Sequence, residues 1–133
     1  MIVIDTSALM SLLLAEPDAE TIADILVNST DLSISAVTLA EARIVAARRN
    51  LASEMDDLVE GLRFDVETAT GDTARRVAAA YAAWGKGIHP AALNFGDCFA
   101  YVAAMSRHAP LLYVGEDFAR TDVQSALPRN TSI

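Results

Sequence analysis

Cysteine, lysine and histidine are nearly missing from this chain, and each scarcity removes a class of chemistry. There is one cysteine, Cys98, so no internal disulfide can form, which fits a reducing compartment. The same residue has no identifiable base beside it in the sequence and reads as packing. The one lysine, Lys86, stands in a loop after a long helix. Two histidines remain: His89 precedes Pro90 in a loop, and His108 ends a helix, where it suits the macrodipole. No run approaches the roughly 18 apolar residues of a membrane span. The N-terminus lacks a basic region followed by a long apolar stretch, because Asp5 interrupts Ile2-Val3-Ile4 at once. A cytoplasmic protein with no membrane partner is the expectation.

Basic residues are also few. Ten bases against 18 acids give a net charge of −8, which opposes long-range attraction of nucleic acid. An enzyme acting on nucleic acid would then need another source of positive potential. Bound divalent metal is one, and the arginines Arg43, Arg48 and Arg49 are another. The simpler reading of the acidic surface is solubility.

What is present is a foldable core. Hydrophobic residues make up 53% and charged residues 21% of 133 residues, which suits one globular domain over residues 1–133. Ile2-Val3-Ile4-Asp5 reads as a buried central strand ending in an acid. Thr6 and Ser7 can cap a helix running from Ala8 to Leu14, which Glu16-Pro17-Asp18 ends. Ile22, Ile25 and Leu26 mark a second helix, and Leu32 to Ser35 a second strand. Helices follow over residues 36–49 and 51–62, then a strand at Phe64-Asp65-Val66. An alanine-rich helix spans 71–84, a further helix 95–107, and Leu111 to Val114 form a fourth strand closed by Gly115. Strands alternating with helices predict an α/β fold, a three-layer α/β/α sandwich on a mostly parallel sheet.

In such sheets the ligand crevice lies outside the carboxyl ends of the strands. Asp5 follows the first strand, and Glu116 and Asp117 follow the fourth. Glu41 lies one turn into the third helix, with Val37 and Ile44 at i−4 and i+3, so it projects from an apolar face. Asp97 opens a helix that is otherwise almost wholly apolar. An unpaired carboxylate is costly in such places. Taken singly, Asp5 and Asp97 are also explained as helix caps. Those separate explanations become poor when all the acids must gather at the mouth of one sheet. Several carboxylates without a usable histidine or cysteine pair point to a hard metal, Mg²⁺ or Mn²⁺. Such an ion relieves the mutual repulsion of crowded carboxylates, activates water and stabilises an in-line phosphoryl displacement.

Four segments now carry a resemblance. Ile2-Val-Ile-Asp5-Thr-Ser7-Ala-Leu9, Ser35-Ala-Val-Thr-Leu-Ala-Glu41-Ala-Arg43, Leu93-Asn-Phe-Gly-Asp97-Cys-Phe-Ala-Tyr101 and Pro110-Leu-Leu-Tyr-Val-Gly-Glu116-Asp117-Phe118 occur in this order. Together they resemble PIN domains, specifically the VapC-type toxins of bacterial toxin–antitoxin pairs. The resemblance implies an endoribonuclease that hydrolyses RNA with Mg²⁺ or Mn²⁺ and is held inactive by a VapB-type antitoxin. It places the catalytic acids at Asp5, Glu41 and Asp97, with Asp5 and Asp97 as the principal metal ligands. A fourth acid belongs after the last core strand. There the chain reads Gly-Glu-Asp-Phe where an Asp-Asp pair is more usual, and Glu116 is favoured slightly over Asp117 because it is the first carboxylate past the turn. Asp122 ranks third, with Arg120 and Thr121 as expected local partners. Thr6 or Ser7 matches the small hydroxyl residue that assists the first aspartate.

Two other readings stand beside this one. A phosphatase-like α/β enzyme also places an aspartate after its first strand, but generally needs a nearby lysine. A catalytically decayed antitoxin-binding module would not need the acids that are present. Finally, Leu9, Leu12, Leu13 and Leu14 together with Met55, Leu58, Val59 and Leu62 offer more apolar surface than a small sheet should need to cover. A homodimer and a groove for an amphipathic antitoxin helix are the expectation.

Overall fold

The computed structural model describes residues 1–128. Residues 129–133, counted in the expected domain, lie outside the described residues. The strands are β1 (Ile2–Ile4), β2 (Leu32–Ser35), β3 (Asp65–Glu67) and β4 (Leu111–Leu112). They form one sheet in the order β3-β2-β1-β4, and every pairing is parallel. The helices are α1 (Thr6–Leu13), α2 (Ala19–Val27), α3 (Ala36–Arg48), α4 (Ala52–Leu62), α5 (Gly71–Trp84) and α6 (Phe95–Ser106).

Strand alternation sets the layers. Val3 and Leu111, which pair in register, face one side, while Ile4 and Leu112 face the other. All four side chains are fully buried, as expected when helices cover both faces of a parallel sheet. On one face, Ile4, Ile34 and Leu112 pack against Leu9 of α1, Ile22 of α2 and Met55 of α4. On the other, Val3 and Leu111 pack against Val77 of α5 and Phe99, Val102 and Ala104 of α6. The expected three-layer sandwich is therefore observed. Parallel strands put the carboxyl ends of β1 and β2 at one edge, where α1 and α3 begin.

Several boundaries differ from expectation for physical reasons. Helix α1 starts at Thr6 rather than Ala8, and Asp5, not Thr6 or Ser7, is its N-cap. Strand β4 stops at Leu112, two residues early, so Tyr113 and Val114 follow it outside the ladder. Strand β3 is displaced by one residue onto Glu67, and its Asp65 and Val66 are exposed at the sheet edge. The apolar surplus of α1 and α4 is partly consumed within the chain. Leu12, Leu13, Leu14, Leu58, Val59 and Leu62 are half-buried around the same core as Met55, because helices cover one another as well as the sheet.

Candidate active site

Asp5 leaves the carboxyl end of β1 and is buried. Its Oδ2 accepts from the Ser7 backbone N–H at 3.0 Å and from Ser7 Oγ at 2.6 Å. Ser7 Oγ in turn accepts from the Val114 N–H at 3.0 Å. A relay thus runs from the chain just past β4, through Ser7, to Oδ2 of Asp5, and among the described residues no side chain bonds Oδ1. Both readings of Asp5 hold at once: it caps α1 and it presents a carboxylate at the sheet edge. Burial pushes its carboxyl above the usual aspartate range; the Ser7 bonds oppose this, and the Glu41 charge adds to it.

Glu41 comes from the second turn of α3. Its Oε1 accepts from Thr6 Oγ1 at 2.8 Å, a hydroxyl that also lies 3.1 Å from the Thr38 carbonyl. The two small hydroxyls beside Asp5 thus divide their work: Thr6 holds Glu41 and Ser7 holds Asp5. The face carrying Glu41 is less covered than its sequence neighbours imply, since Ile44 is exposed. What encloses Glu41 is the start of α6. A Cβ on Gly96 would overlap Glu41 Oε2, so glycine here leaves the Glu41 carboxylate its present position.

Asp97 is the third residue of α6 and belongs to a capping box. The Asn94 side chain accepts from the Asp97 N–H at 2.8 Å, and Asp97 Oδ2 accepts from the Asn94 N–H at 3.0 Å. The box fixes Asp97 through Oδ2, and among the described residues its other oxygen has no hydrogen-bond partner. Desolvation raises the Asp97 carboxyl to about 6, against the Asn94 bond and with added repulsion from Asp5, Glu41 and Asp117. Asp5, Glu41 and Asp97, expected from sequence to share a crevice, are thus electrostatically coupled. Both acids after β4 are exposed, and it is Asp117 whose charge is among the causes of the Asp97 shift. The turn before them rests on Gly115, at φ 105°.

Among the described residues, no three acidic, histidine or cysteine side chains converge into a ready-made metal cage. The donor set nonetheless fits a hard cation. Mg²⁺ keeps several waters and is held by only one or two carboxylates directly. Asp5 and Asp97 each offer one oxygen that no side chain among the described residues bonds, in a place where their own charges are penalised. The charges of Glu41 and Asp117 bear on Asp97 as well.

Other candidates fall away from this centre. Cys98 is buried and its thiol is pushed up to about 11, by desolvation and then by Asp97, which leaves no thiolate for attack. His89 accepts from the Ala91 N–H and packs edge-on to Trp84, while His108 is exposed at the end of α6. Asp122 is structural, but its partner is the Tyr101 hydroxyl at 2.5 Å rather than Arg120 or Thr121, which bond the Pro90 and Phe118 carbonyls. The arginine cluster is weaker than expected, because Arg43 is paired with Asp56 of α4. Sequence reasoning passed over Asn94 and Gly96. The Asn-x-x-Asp spacing signalled the first, and a glycine inside an apolar helix signalled the second.

The PIN-domain family matches residues 2–124. Ribonuclease VapC28 of Mycobacterium tuberculosis is 43% identical over 131 residues, covering 96% of this chain and 98% of its own. Ribonuclease VapC30 of the same organism is 41% identical over 130 residues, covering 95% and 99%. In three dimensions the chain is similar to VapC20 of M. tuberculosis, a sarcin–ricin-loop-cleaving toxin, with a TM-score of 0.78 at 16% identity over 96% and 100% of the two chains. It is also similar to a chain of a toxin–antitoxin complex from Klebsiella pneumoniae, with a TM-score of 0.70 at 18% identity over 92% and 93%. These two likenesses establish the shared fold. The chain belongs to the PIN-domain family and, within it, to the VapC ribonucleases.

Proposed function

We propose that this ribonuclease, as the toxin of a toxin–antitoxin pair, cuts RNA at the centre formed by Asp5, Glu41, Asp97 and Asp117, with Mg²⁺ or Mn²⁺ as its cofactor. One observation carries the reading. Asp5 and Asp97, from different elements, are desolvated at the same sheet edge and repel each other and Glu41, in a chain 43% identical to VapC28. A protein spends stability on such an arrangement when the charges serve a purpose.

When bound, the divalent ion would supply an activated water and neutralise charge building on the phosphate oxygens. Asp5 and Asp97 would hold it through their free oxygens. Ser7 and the Asn94 N–H keep those two carboxylates oriented by occupying the opposite oxygens. Glu41, fixed by Thr6, positions the attacking water and takes its proton. Asp117 completes the negative charge, and Glu116 is the alternative for that place. The absence of lysine among the hydrogen-bond partners of Asp5 favours this reading over the phosphatase-like one.

The family relationship and the likeness to toxin chains support a VapB-type antitoxin as partner and the cytoplasm as location. No helix of the described residues is long and apolar enough to cross a membrane. A homodimer remains part of the proposal, with exposed Ile44 as apolar surface available to it. The test is antitoxin-free protein incubated with total RNA. Cleavage with Mg²⁺ or Mn²⁺ and none with EDTA is expected; cleavage that EDTA leaves intact would overturn the metal-dependent site.

A further inference from the structure

Phe95 opens α6 two residues before Asp97 and one turn before Phe99, which lines a separate groove, and the residue is 69% exposed. A single exposed apolar residue is ordinary. This one is distinguished by its mounting and its place. Its ring stands edge-on to Phe99, with centroids 5.1 Å apart and planes at 69°. It immediately precedes Gly96, which abuts the Glu41 carboxylate, and lies two residues before Asp97. Phe95, Phe99, Val102, Ala103 and Ser106 share one helical stripe, and the last four line a groove of about 600 Å³. The opposite wall carries the hydroxyls of Ser35, Thr68, Thr70 and Thr73. The groove's two cations, Arg76 and Arg107, are already paired with Asp72 and Glu67.

We infer that Phe95 is a substrate-positioning residue, on which an unpaired base next to the scissile phosphate stacks while the strand continues into the groove between α5 and α6. This rests on the ribonuclease reading. A phosphate at the acids leaves the neighbouring nucleotide beside Phe95. A single strand can present that base, and aromatic faces accept any base. The groove beyond is charge-paired and lined by hydroxyls over an apolar floor. That suits riboses and base edges, and it suits the apolar face of a protein helix poorly.

The test measures binding of a fluorescein-labelled single-stranded RNA dodecamer of random sequence, with Mg²⁺, in an Asp5→Asn parent that leaves the RNA uncut. Stacking contributes about 1–3 kcal/mol per base, so Phe95→Ala should weaken binding by about 5- to 150-fold. Phe95→Trp should restore it, and RNA should quench the new indole. In the active enzyme, Phe95→Ala should raise KM with little change in kcat. Phe95 is exposed, so its loss does not threaten folding. Unchanged RNA affinity in Phe95→Ala overturns the inference. So does weakening only of antitoxin assembly, which would make the ring a protein contact. If the wild type itself leaves total RNA uncut, the ribonuclease reading fails first and takes this one with it.

Discussion

At the scale of single residues, Asp5, Glu41 and Asp97 are each held through one carboxylate oxygen by a neighbouring hydroxyl or backbone N–H. This hold explains why capping and function do not compete here: the cap orients the acid. The cost of Asp97 is measurable. Its carboxyl titrates near 6 in the folded chain against 3.8 for an ordinary aspartate, so the folded state holds its proton to higher pH. Between those values the folded state binds more protons than the unfolded one, so stability falls as pH rises through the window. The whole penalty is present above it and vanishes below the lower value. Asp97→Asn keeps an acceptor for the Asn94 N–H and removes the charge. At pH 8 it should raise unfolding free energy by about 1–2 kcal/mol, discounted for partial exposure, with little change at pH 3.5 in denaturant titrations. Equal effects at both pH values would contradict the electrostatic account. Gly96→Ala makes a second residue-scale prediction. The overlap falls on the mobile end of Glu41, so the acid moves and the helix stays. Cleavage should drop at least about tenfold while stability changes by no more than about 1 kcal/mol. A fully active Gly96→Ala enzyme would show that Glu41 does not need its present position.

At the scale of elements, periodicity and turn residues announced all four strands and six helices, because these signals are local. Asp5 and Asp97 were legible for the same reason: each stands where an apolar run meets an element boundary. Glu41 was found by an argument only partly right. The apolar face assigned to it is open at Ile44, and its enclosure comes from Gly96 on another helix. For the fourth acid, chain reach past Gly115 favours Glu116, while the charge that bears on Asp97 is that of Asp117. Such preferences depend on how elements dock, which no local pattern encodes. Mn²⁺ titration should therefore show weaker binding for Asp117→Asn than for Glu116→Gln, with the reverse order restoring Glu116. One docking device is the Ser7 hydroxyl, which ties α1 to the chain after β4. Ser7→Ala leaves the Val114 N–H and Asp5 Oδ2 each short of a partner. It should cost about 1–2 kcal/mol in stability and also reduce metal affinity. A stability loss with unchanged metal affinity would confine Ser7 to a structural role.

At the scale of the whole molecule, a chain of net charge −8 acts on a polyanion. The acids crowd at the sheet edge while Arg43, Arg75, Arg76 and Arg107 are spent on pairs with acids elsewhere. On the reading proposed above, a bound cation and uncharged contacts share in receiving the substrate beside the bases outside those pairs, and RNA affinity should depend on divalent ion as well as on monovalent salt. The same logic predicts stabilisation by metal. An ion at 100 times its Kd raises folding stability by about 2.7 kcal/mol through linkage. Melting of the wild type should shift upward with Mn²⁺, and that of Asp97→Asn far less. The most direct test of the central claim is the single-turnover rate of RNA cleavage by Asp5→Asn and Asp97→Asn, measured with Mg²⁺ on proteins whose melting shows them folded. The account predicts that both lose cleavage while remaining folded. Wild-type rates from either folded variant would contradict it.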